Sequence, residues 1–391
     1  MHLDDRWDIL VVGAGPAGSS AAGESARAGA RTLLIDAKMQ IGERPHCGEF
    51  VPSRLFGEFD LDRSSIIQNV RFMETRIVDS WKNDEEATGA RTWGTPESTS
   101  GEKWAETISP GYVIDRARFD RDLARSAAAC GATVMCATRL VRREIGRWIV
   151  RQGPHEIALQ ARYVIAADGA LSTVARAMGM DHPEVLTGIQ IEAPLVGRYD
   201  RTFVFLHKEI VEGYGWVFPK GSVANVGVGI SRGENLSPEK ILGKFVTFLN
   251  EAKLIKPGRL ARSGGTIPIS GLRSSLVREN VVFCGDAAGL THPVTGAGIP
   301  QAIFSGILAG QTVSEALKAE NQSLLGKYED EIRGRYGKVL EHARLKRELM
   351  AQEWKKAEFQ SVCNRTWIGF KGYKKRERRG ASCRTALTGN T

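Results

Sequence analysis

Four segments of the sequence place glycine or aspartate directly after an apolar run, a pattern typical of nucleotide-binding turns. The first, Gly13-Ala14-Gly15-Pro16-Ala17-Gly18, follows the apolar residues 9–12 and precedes an alanine-rich stretch. Gly13 would allow a tight turn, Gly15 would let backbone N–H groups approach a pyrophosphate, and Gly18 would let a helix pack closely on a strand. The N-terminus of that helix would favour an anion, because its first N–H groups are unpaired. The segment therefore predicts dinucleotide binding, with Pro16 and Ala17 beside the phosphates.

Aspartates follow three further apolar runs. Asp36 ends the run 32–35, where its carboxylate could accept hydrogen bonds from a ribose and would disfavour a 2′-phosphate. Asp168 follows the run 163–167, and Gly285-Asp286 follows the run 281–283. Ligands bind at the carboxyl ends of the strands in open parallel sheets, so both aspartates are candidates for the same site. The alternative is that Asp168 and Asp286 only cap turns, as aspartate before a turn often does.

The elements that must position these residues alternate between strand-like and helix-like patterns. Apolar runs separated by helical stretches, such as 116–129 and 299–317, predict βαβ units and a parallel sheet. We therefore expect a Rossmann-like α/β domain, interrupted by a β-rich substrate domain and followed by a helical C-terminal region. The predicted boundaries are 1–69, 111–180 and 275–323 for the α/β domain, 70–110 and 181–274 for the β-rich domain, 324–370 for the helical region and 371–391 for a mobile basic tail.

Composition and charge exclude several classes of protein. The 391 residues are 42% hydrophobic and 25% charged, which is ordinary for a globular chain. Six scattered cysteines show no metal-binding or disulfide spacing, residues 1–6 lack a signal-peptide pattern, and no apolar run is long enough to span a membrane, so we expect a cytoplasmic protein. The net charge is +9, of which +6 lies in 371–391 (seven bases against Glu377), so the body is not expected to bind nucleic acid. The tail is either a solvated end or a peripheral membrane contact.

The order and spacing of the glycine and aspartate motifs resemble the glutathione-reductase-like FAD proteins that include aromatic hydroxylases and geranylgeranyl reductases. The resemblance implies that Asp286 holds ribityl hydroxyls of FAD, that Asp168 closes the nucleotide pocket, and that Arg44 contacts the cofactor. Arg116-Ala117-Arg118-Phe119-Asp120 matches the family pattern RxxFD. The segment 293–299, with Gly296, Gly298 and Ile299, resembles the loop that brings a helix N-terminus to the flavin ring, where N–H groups would stabilise negative charge.

Two further segments resemble the geranylgeranyl reductase family and concern the substrate. Tyr214-Gly215-Trp216-Val217-Phe218-Pro219 matches its YxWxFP motif, although Val211 stands where the longer form of the motif has proline. Alternating Tyr214, Trp216 and Phe218 could line an elongated apolar cavity, or could simply pack in a core. Cys47, in Pro45-His46-Cys47-Gly48-Glu49, could donate a proton or tune the flavin, or could be a packing residue. His46 and His292 are further candidates for proton delivery.

These features predict an FAD-dependent oxidoreductase that transfers hydride from flavin N5 to a C=C bond of an apolar prenyl or polyketide-like substrate. No second strand–GxGxxG–helix pattern is present, because Gly227-Val228-Gly229 lies within a strand pattern. NAD(P)H would therefore visit transiently, or another donor would serve. The alternatives are a class A aromatic monooxygenase, many of which have histidine where this chain has Gly289, and a flavin halogenase, whose motif differs at Tyr214 and Phe218 although Lys82 supplies a lysine.

Overall fold

Two eight-stranded sheets and the helices around them form the part of the chain that the computed structural model describes, residues 5–43, 47–81, 103–231 and 237–374. The strands are β1 Arg6–Val12, β2 Thr32–Ile35, β3 Phe50–Pro52, β4 Ile66–Ile77, β5 Trp104–Ile114, β6 Thr133–Met135, β7 Thr138–Glu144, β8 Arg147–Gln152, β9 His155–Ala166, β10 Val185–Pro194, β11 Arg201–Leu206, β12 Tyr214–Lys220, β13 Val223–Ile230, β14 Ala261–Pro268, β15 Val277–Arg278 and β16 Val281–Phe283. The α-helices are α1 Pro16–Arg27, α2 Leu55–Glu58, α3 Arg116–Ala129, α4 Thr173–Ala177, α5 Pro238–Glu251, α6 Ile299–Lys318, α7 Gly326–Glu353 and α8 Phe359–Thr366.

The first sheet has the strand order β15-β16-β9-β1-β2-β6, with the β7–β8 hairpin attached to β9. Its central strands are parallel: β1 pairs with both β2 and β9, and β9 pairs with β16. Helices cover these strands, so Ile9, Leu10 and Val11 of β1 have no exposed surface. This is why the strands read as continuous apolar runs rather than as an alternating pattern. The predicted Rossmann-like α/β fold is confirmed.

Helices α1 and α6 pack against each other at two glycines that the sequence analysis did not single out. A Cβ atom at Gly306 would lie 2.1 Å from the carbonyl oxygen of Ala17, and one at Gly310 would lie 2.5 Å from that of Ala21. The two backbones can approach this closely only because neither glycine has a side chain. The close packing fixes the start of α6 next to the glycine turn that precedes α1.

The second sheet has the strand order β14-β10-β13-β12-β11-β4-β5-β3 and is antiparallel except for the parallel pair β4–β11. One face packs on α5, where the rings of Phe205 and Phe245 lie 5.2 Å apart. The other face lies toward the first sheet.

The sequence pattern groups residues 50–69 and 111–114 with the α/β domain. In the structure these residues contribute to the second sheet, because the end of β5 pairs with β3 and with the start of β4.

The C-terminal segment returns to the space between the sheets. After α7 and α8, the indole Nε1 of Trp367 donates a hydrogen bond to Oγ1 of Thr75 on β4, at 3.1 Å. The chain then forms a 3-10 turn over Lys371–Lys374. In this turn, which lies at the start of the predicted mobile tail, the Tyr373 side chain is buried and packs on His342, and the mobility of the tail stays a prediction. The remainder of the tail, 375–391, lies outside the described residues.

Candidate active site

A cavity of about 570 Å³ lies between the two sheets. Its walls come from the start of α1, the segment 47–54, one face of the second sheet, the loop before α6, and Trp367 with Ile368. The carboxyl ends of β1, β9 and β16 meet at one end of this space, as ligand sites in such sheets do. The cavity thus brings the motifs of the α/β domain and the aromatic motif of the β-rich sheet to one place.

The glycine turn between β1 and α1 has the geometry that phosphate binding requires. Gly13 has φ +101°, and a Cβ atom there would lie 2.4 Å from the Ala167 carbonyl oxygen. A Cβ at Gly18 would lie 1.8 Å from the Gly13 oxygen, whereas one at Gly15 would meet no atom within 4 Å. Gly15, Pro16 and Ala17 line the cavity, and no side chain caps α1. Backbone N–H groups at this helix start are therefore open to a pyrophosphate.

Asp36 lies at the end of β2, next to this turn. Its Oδ2 accepts the N–H of Ala14 at 2.8 Å, and its Oδ1 accepts the N–H of Lys38 at 2.8 Å. Both oxygens keep further lone pairs for a ribose hydroxyl. The hydrogen bond to Ala14 also holds the glycine turn in place. The role of Asp36 in ribose binding stays a prediction.

Asp168 uses its side chain to cap the short helix α4. Oδ1 accepts the Ser172 hydroxyl at 2.6 Å, and Oδ2 accepts the N–H groups of Thr173 and Val174 at 2.7 and 3.1 Å. Only its neighbours Ala167 and Gly169 line the cavity. The carboxylate of Asp168 therefore caps a turn, as the alternative interpretation expects. The role of Asp168 in closing the nucleotide pocket stays a prediction.

Asp286 lies on the cavity wall beside the start of α6. Its Oδ1 accepts the Thr291 hydroxyl at 2.6 Å. Burial raises the pKa of this carboxyl, and the nearby Arg116 opposes the shift. The preceding Gly285 has φ +57°, and a Cβ there would lie 2.9 Å from Cβ of Ala17. The carboxyl group is therefore held at the place where the turn after β16 meets α1.

The loop before α6 exposes another uncapped helix start to the cavity. Gly296, Gly298 and Ile299 all line it, and Gly298 provides no side-chain cap for α6. His292 holds this loop, because its Nδ1 accepts the N–H of Thr295 at 3.2 Å and its Nε2 lies 3.2 Å from the Tyr373 hydroxyl. Burial lowers the pKa of His292 to about 4, so the ring is neutral. With both nitrogens engaged, His292 supports the loop and is not positioned as a proton donor to the cavity.

Cys47 lies on the cavity wall where the two halves of the space meet. Its Sγ accepts the N–H of Glu49 at 3.2 Å. Burial raises the pKa of the thiol, and the adjacent Arg116 opposes this, so Cys47 carries its proton at neutral pH. Arg116 itself forms a two-bond pair with Asp120, at 3.0 Å for each bond. Arg44 and His46, which the sequence analysis also named, lie outside the described residues.

The aromatic motif forms one wall of the cavity, as the alternation along β12 predicts. Tyr214, Trp216 and Phe218 all line the cavity, while Val217 faces α5 and is fully buried. The Trp216 indole lies over β13, because a Cβ at Gly227 would be 2.3 Å from Cζ2 of this ring. This explains the glycine in β13, which is a strand and not a second nucleotide turn. The next strands continue the wall with Thr202, Val204 and Met73.

Polar residues on the second sheet were missed by the sequence analysis. The side chain of Gln190 on β10 accepts the Trp216 indole N–H at 3.2 Å and donates to the Cys47 carbonyl oxygen at 2.9 Å. Asn225 on β13 donates to the Gly48 carbonyl oxygen at 3.3 Å. Both are nearly buried. Their only signal in the sequence is a polar residue within an apolar strand, and it does not reveal the partner.

Comparison with known proteins first defines the class. Residues 8–177 match the family model of FAD dependent oxidoreductases, and residues 193–257 match that of the geranylgeranyl reductase catalytic domain. The crystal structure of a geranylgeranyl bacteriochlorophyll reductase-like protein from Thermoplasma acidophilum superimposes with a TM-score of 0.78 at 27% identity, covering 94% of this chain and 92% of that one. The protein is an FAD-dependent oxidoreductase.

The chain is 32% identical over 347 residues to digeranylgeranylglycerophospholipid reductase 3 of Methanosphaera stadtmanae, covering 85% of this chain and 83% of the relative. It belongs to the geranylgeranyl reductase family. A myxobacterial chondrochloren halogenase superimposes with a TM-score of 0.69 at 18% identity, covering 92% of this chain and 86% of that one. This similarity shows a shared fold only.

Proposed function

We propose that this protein saturates C=C bonds in the prenyl chains of a lipid, with Cys47 as the proton donor. The observation that carries the proposal is the position of the Cys47 thiol between the dinucleotide-binding motifs and the aromatic wall. The name of the Methanosphaera relative, a digeranylgeranylglycerophospholipid reductase, supports a prenyl lipid as the substrate class. The apolar wall of Trp216, Phe218, Val204 and Met73 would accept such a chain and exclude water from it.

The residues around the cavity fit an FAD molecule. The open side of Gly15 and the uncapped start of α1 would receive the pyrophosphate, Asp36 the ribose, and Asp286 the ribityl hydroxyls. The uncapped start of α6, at Gly298 and Ile299, would lie at the flavin ring and favour negative charge there. Reduced FAD, when bound, supplies the hydride that adds to one carbon of the double bond.

The other carbon of the double bond needs a proton, and this chain offers one at Cys47 Sγ. The thiol is protonated at neutral pH, because the ordinary pKa of cysteine already lies above neutral and burial raises it further. As the π bond breaks and the second C–H bond forms, the S–H bond would break and leave a thiolate. The Arg116 guanidinium and the Glu49 N–H would stabilise that negative charge. Solvent would then return the proton to the thiolate, and an external donor, NAD(P)H or another reductant, would restore the two electrons.

The test uses purified holoenzyme under anaerobic conditions. After chemical reduction of the flavin, a prenyl lipid should reoxidise it and gain two hydrogens, which mass spectrometry detects. Cys47→Ala should lower the rate of this step by about 10²–10⁴-fold while the protein still binds FAD. Cys136→Ala is the matched control, since Cys136 does not line the cavity. Reoxidation by oxygen alone, with no reduced lipid, would contradict the proposal and favour a monooxygenase.

A further inference from the structure

Glu49, two residues after Cys47, has an unusual backbone conformation and a buried charge. Its φ is +69°, in the left-handed region that residues with a side chain seldom adopt. Only 4% of the residue is exposed. A buried carboxylate in such a conformation must be held by its surroundings, and its contacts show how.

The Glu49 carboxylate joins the two halves of the molecule. Oε1 accepts the N–H of Arg116, the first residue of α3, at 2.9 Å. Oε2 accepts the Asn225 amide at 2.6 Å and pairs with Nζ of Lys220 at 2.8 Å. Helix α3 packs on α1 beside the first sheet, whereas Lys220 and Asn225 belong to β12 and β13 of the second. One side chain therefore ties the segment 47–49 to both sheets.

The same segment has no freedom to move toward the second sheet. A Cβ atom at Gly48 would lie 2.6 Å from the Phe218 ring, so the backbone already touches the aromatic wall. Asn225 bonds both the Gly48 carbonyl and the Glu49 carboxylate. The N–H of Glu49 in turn points at Cys47 Sγ, at 3.2 Å. The Glu49 peptide is thus in direct contact with the thiol.

We propose that Glu49 is a positioning residue that holds the Cys47 thiol at the junction of the dinucleotide-binding and apolar parts of the cavity. The purpose assigned to Glu49 rests on the proposed function, whereas the contacts that support this position of Glu49 are independent of that function. Among the residues that the structure describes, the charged or titratable groups that face the thiol are Arg116 on α3, Glu49 itself and Tyr214 on β12. Burial raises the pKa of Cys47, Arg116 lowers it, and the negative charge of Glu49 raises it further. Loss of Glu49 should therefore change both the exposure and the pKa of the thiol.

The experiment measures alkylation of Cys47 by iodoacetamide in the FAD-loaded holoenzyme across a pH series, with peptide mass spectrometry to separate it from the other cysteines. Glu49→Gly removes the carboxylate without backbone strain, because glycine tolerates φ +69°. We expect Cys47 to react at least about tenfold faster in this variant, since local opening exposes the thiol. Glu49→Gln keeps the size and removes the charge, so the alkylation profile should shift to lower pH. The rate at Cys136, measured in the same digest, should not change.

Glu192→Gln is the matched control. Glu192 is the second carboxylate near Lys220, at 3.7 Å, and does not line the cavity, so its loss should leave the Cys47 profile as in the wild type. The positioning role is wrong if both Glu49 variants bind FAD and show the wild-type profile at Cys47. If Glu49→Gly does not fold, the Glu49→Gln profile decides. If the Cys47 profile responds to the Glu49 variants but the wild type reduces no prenyl lipid, the proposed function is wrong and this inference stands. If the wild type reduces prenyl lipids but the Cys47 profile does not respond to Glu49, only this inference is wrong.

Discussion

The Tyr214 hydroxyl donates a hydrogen bond to the carbonyl oxygen of Thr295 at 2.5 Å, which joins the aromatic wall to the loop before α6. The substrate side and the uncapped helix start are therefore not independent surfaces. A change in the wall would be transmitted to the loop through this bond. The Trp367 ring, 4.8 Å from that of Tyr214, packs at the same point.

Tyr214→Phe should lower the free energy of unfolding by about 0.5–1.5 kcal/mol, because the partly buried Thr295 carbonyl loses its partner. It should also change the visible spectrum of bound FAD, since the loop would be less fixed. Denaturant unfolding and absorbance spectroscopy measure the two effects. Tyr112→Phe, on β5 and packed against Phe56, is the control and should change neither. Equal stability of the Tyr214 and Tyr112 variants would show that the hydrogen bond does not hold the loop.

Gly306→Ala should destabilise the protein by about 1–3 kcal/mol and weaken FAD binding, because the added methyl group would force α6 away from α1. Gly334→Ala tests the general effect of alanine in a helix. A Cβ at Gly334 on α7 would meet no atom within 4 Å, so the free energy of unfolding of this variant should rise by about 0.5–1 kcal/mol. Denaturant unfolding and FAD titration give both quantities. If Gly306→Ala binds FAD with unchanged affinity, the contact between α1 and α6 is not required for cofactor binding.

Stability should fall as the pH decreases from about 6.5 to about 4. Burial lowers the pKa of His292 and of His207 from 6.5 to about 4, so the unfolded chain binds protons in this range that the folded chain does not. Each histidine contributes at most about 3 kcal/mol, fully present above its unfolded pKa. His292→Asn and His207→Asn keep an acceptor for the neighbouring N–H and should each flatten the profile, as measured by denaturant unfolding at a series of pH values. Profiles parallel to that of the wild type would contradict the assignment.

The basic tail gives a further prediction about membranes. Residues 375–391 contain five bases and one acid, a net charge of +4. Removal of these residues should reduce co-sedimentation with anionic liposomes, and added salt should reduce that of the full chain, because the attraction is electrostatic. The truncation must retain Tyr373, whose hydroxyl meets His292. Neutral liposomes are the control. Equal pelleting of both proteins on anionic liposomes would assign the tail no membrane role.

The sequence is sufficient to predict the dinucleotide-binding half, because each of its motifs depends on neighbours in the chain. Gly13, Gly15 and Gly18 act within one turn, and the preceding apolar run identifies the strand. The same holds for the alternation of Tyr214, Trp216 and Phe218, which places all three on one face of β12. Local patterns of this kind determine both the element and the direction of its side chains.

The contacts between the halves could not be predicted in this way. Gln190 reaches Cys47 across 143 positions of sequence, and Asn225 reaches Glu49 across 176. No local pattern specifies such a pair. Asp168 shows the opposite limit: its motif is local, but whether the carboxylate caps α4 or faces the cavity depends on the exact path of the turn. Both gaps concern side-chain direction and not the elements themselves.

The return of the chain at Trp367 and Ile368 has a consequence for biosynthesis. Ribosomes synthesise these two residues after all the other residues that line the cavity, so a nascent chain would first form an apolar cavity that is open on one side. A cofactor that binds before the chain is released would meet this open form. The apolar residues opposite this wall would therefore stay exposed to solvent until the last segment has emerged and Trp367 has bonded to Thr75.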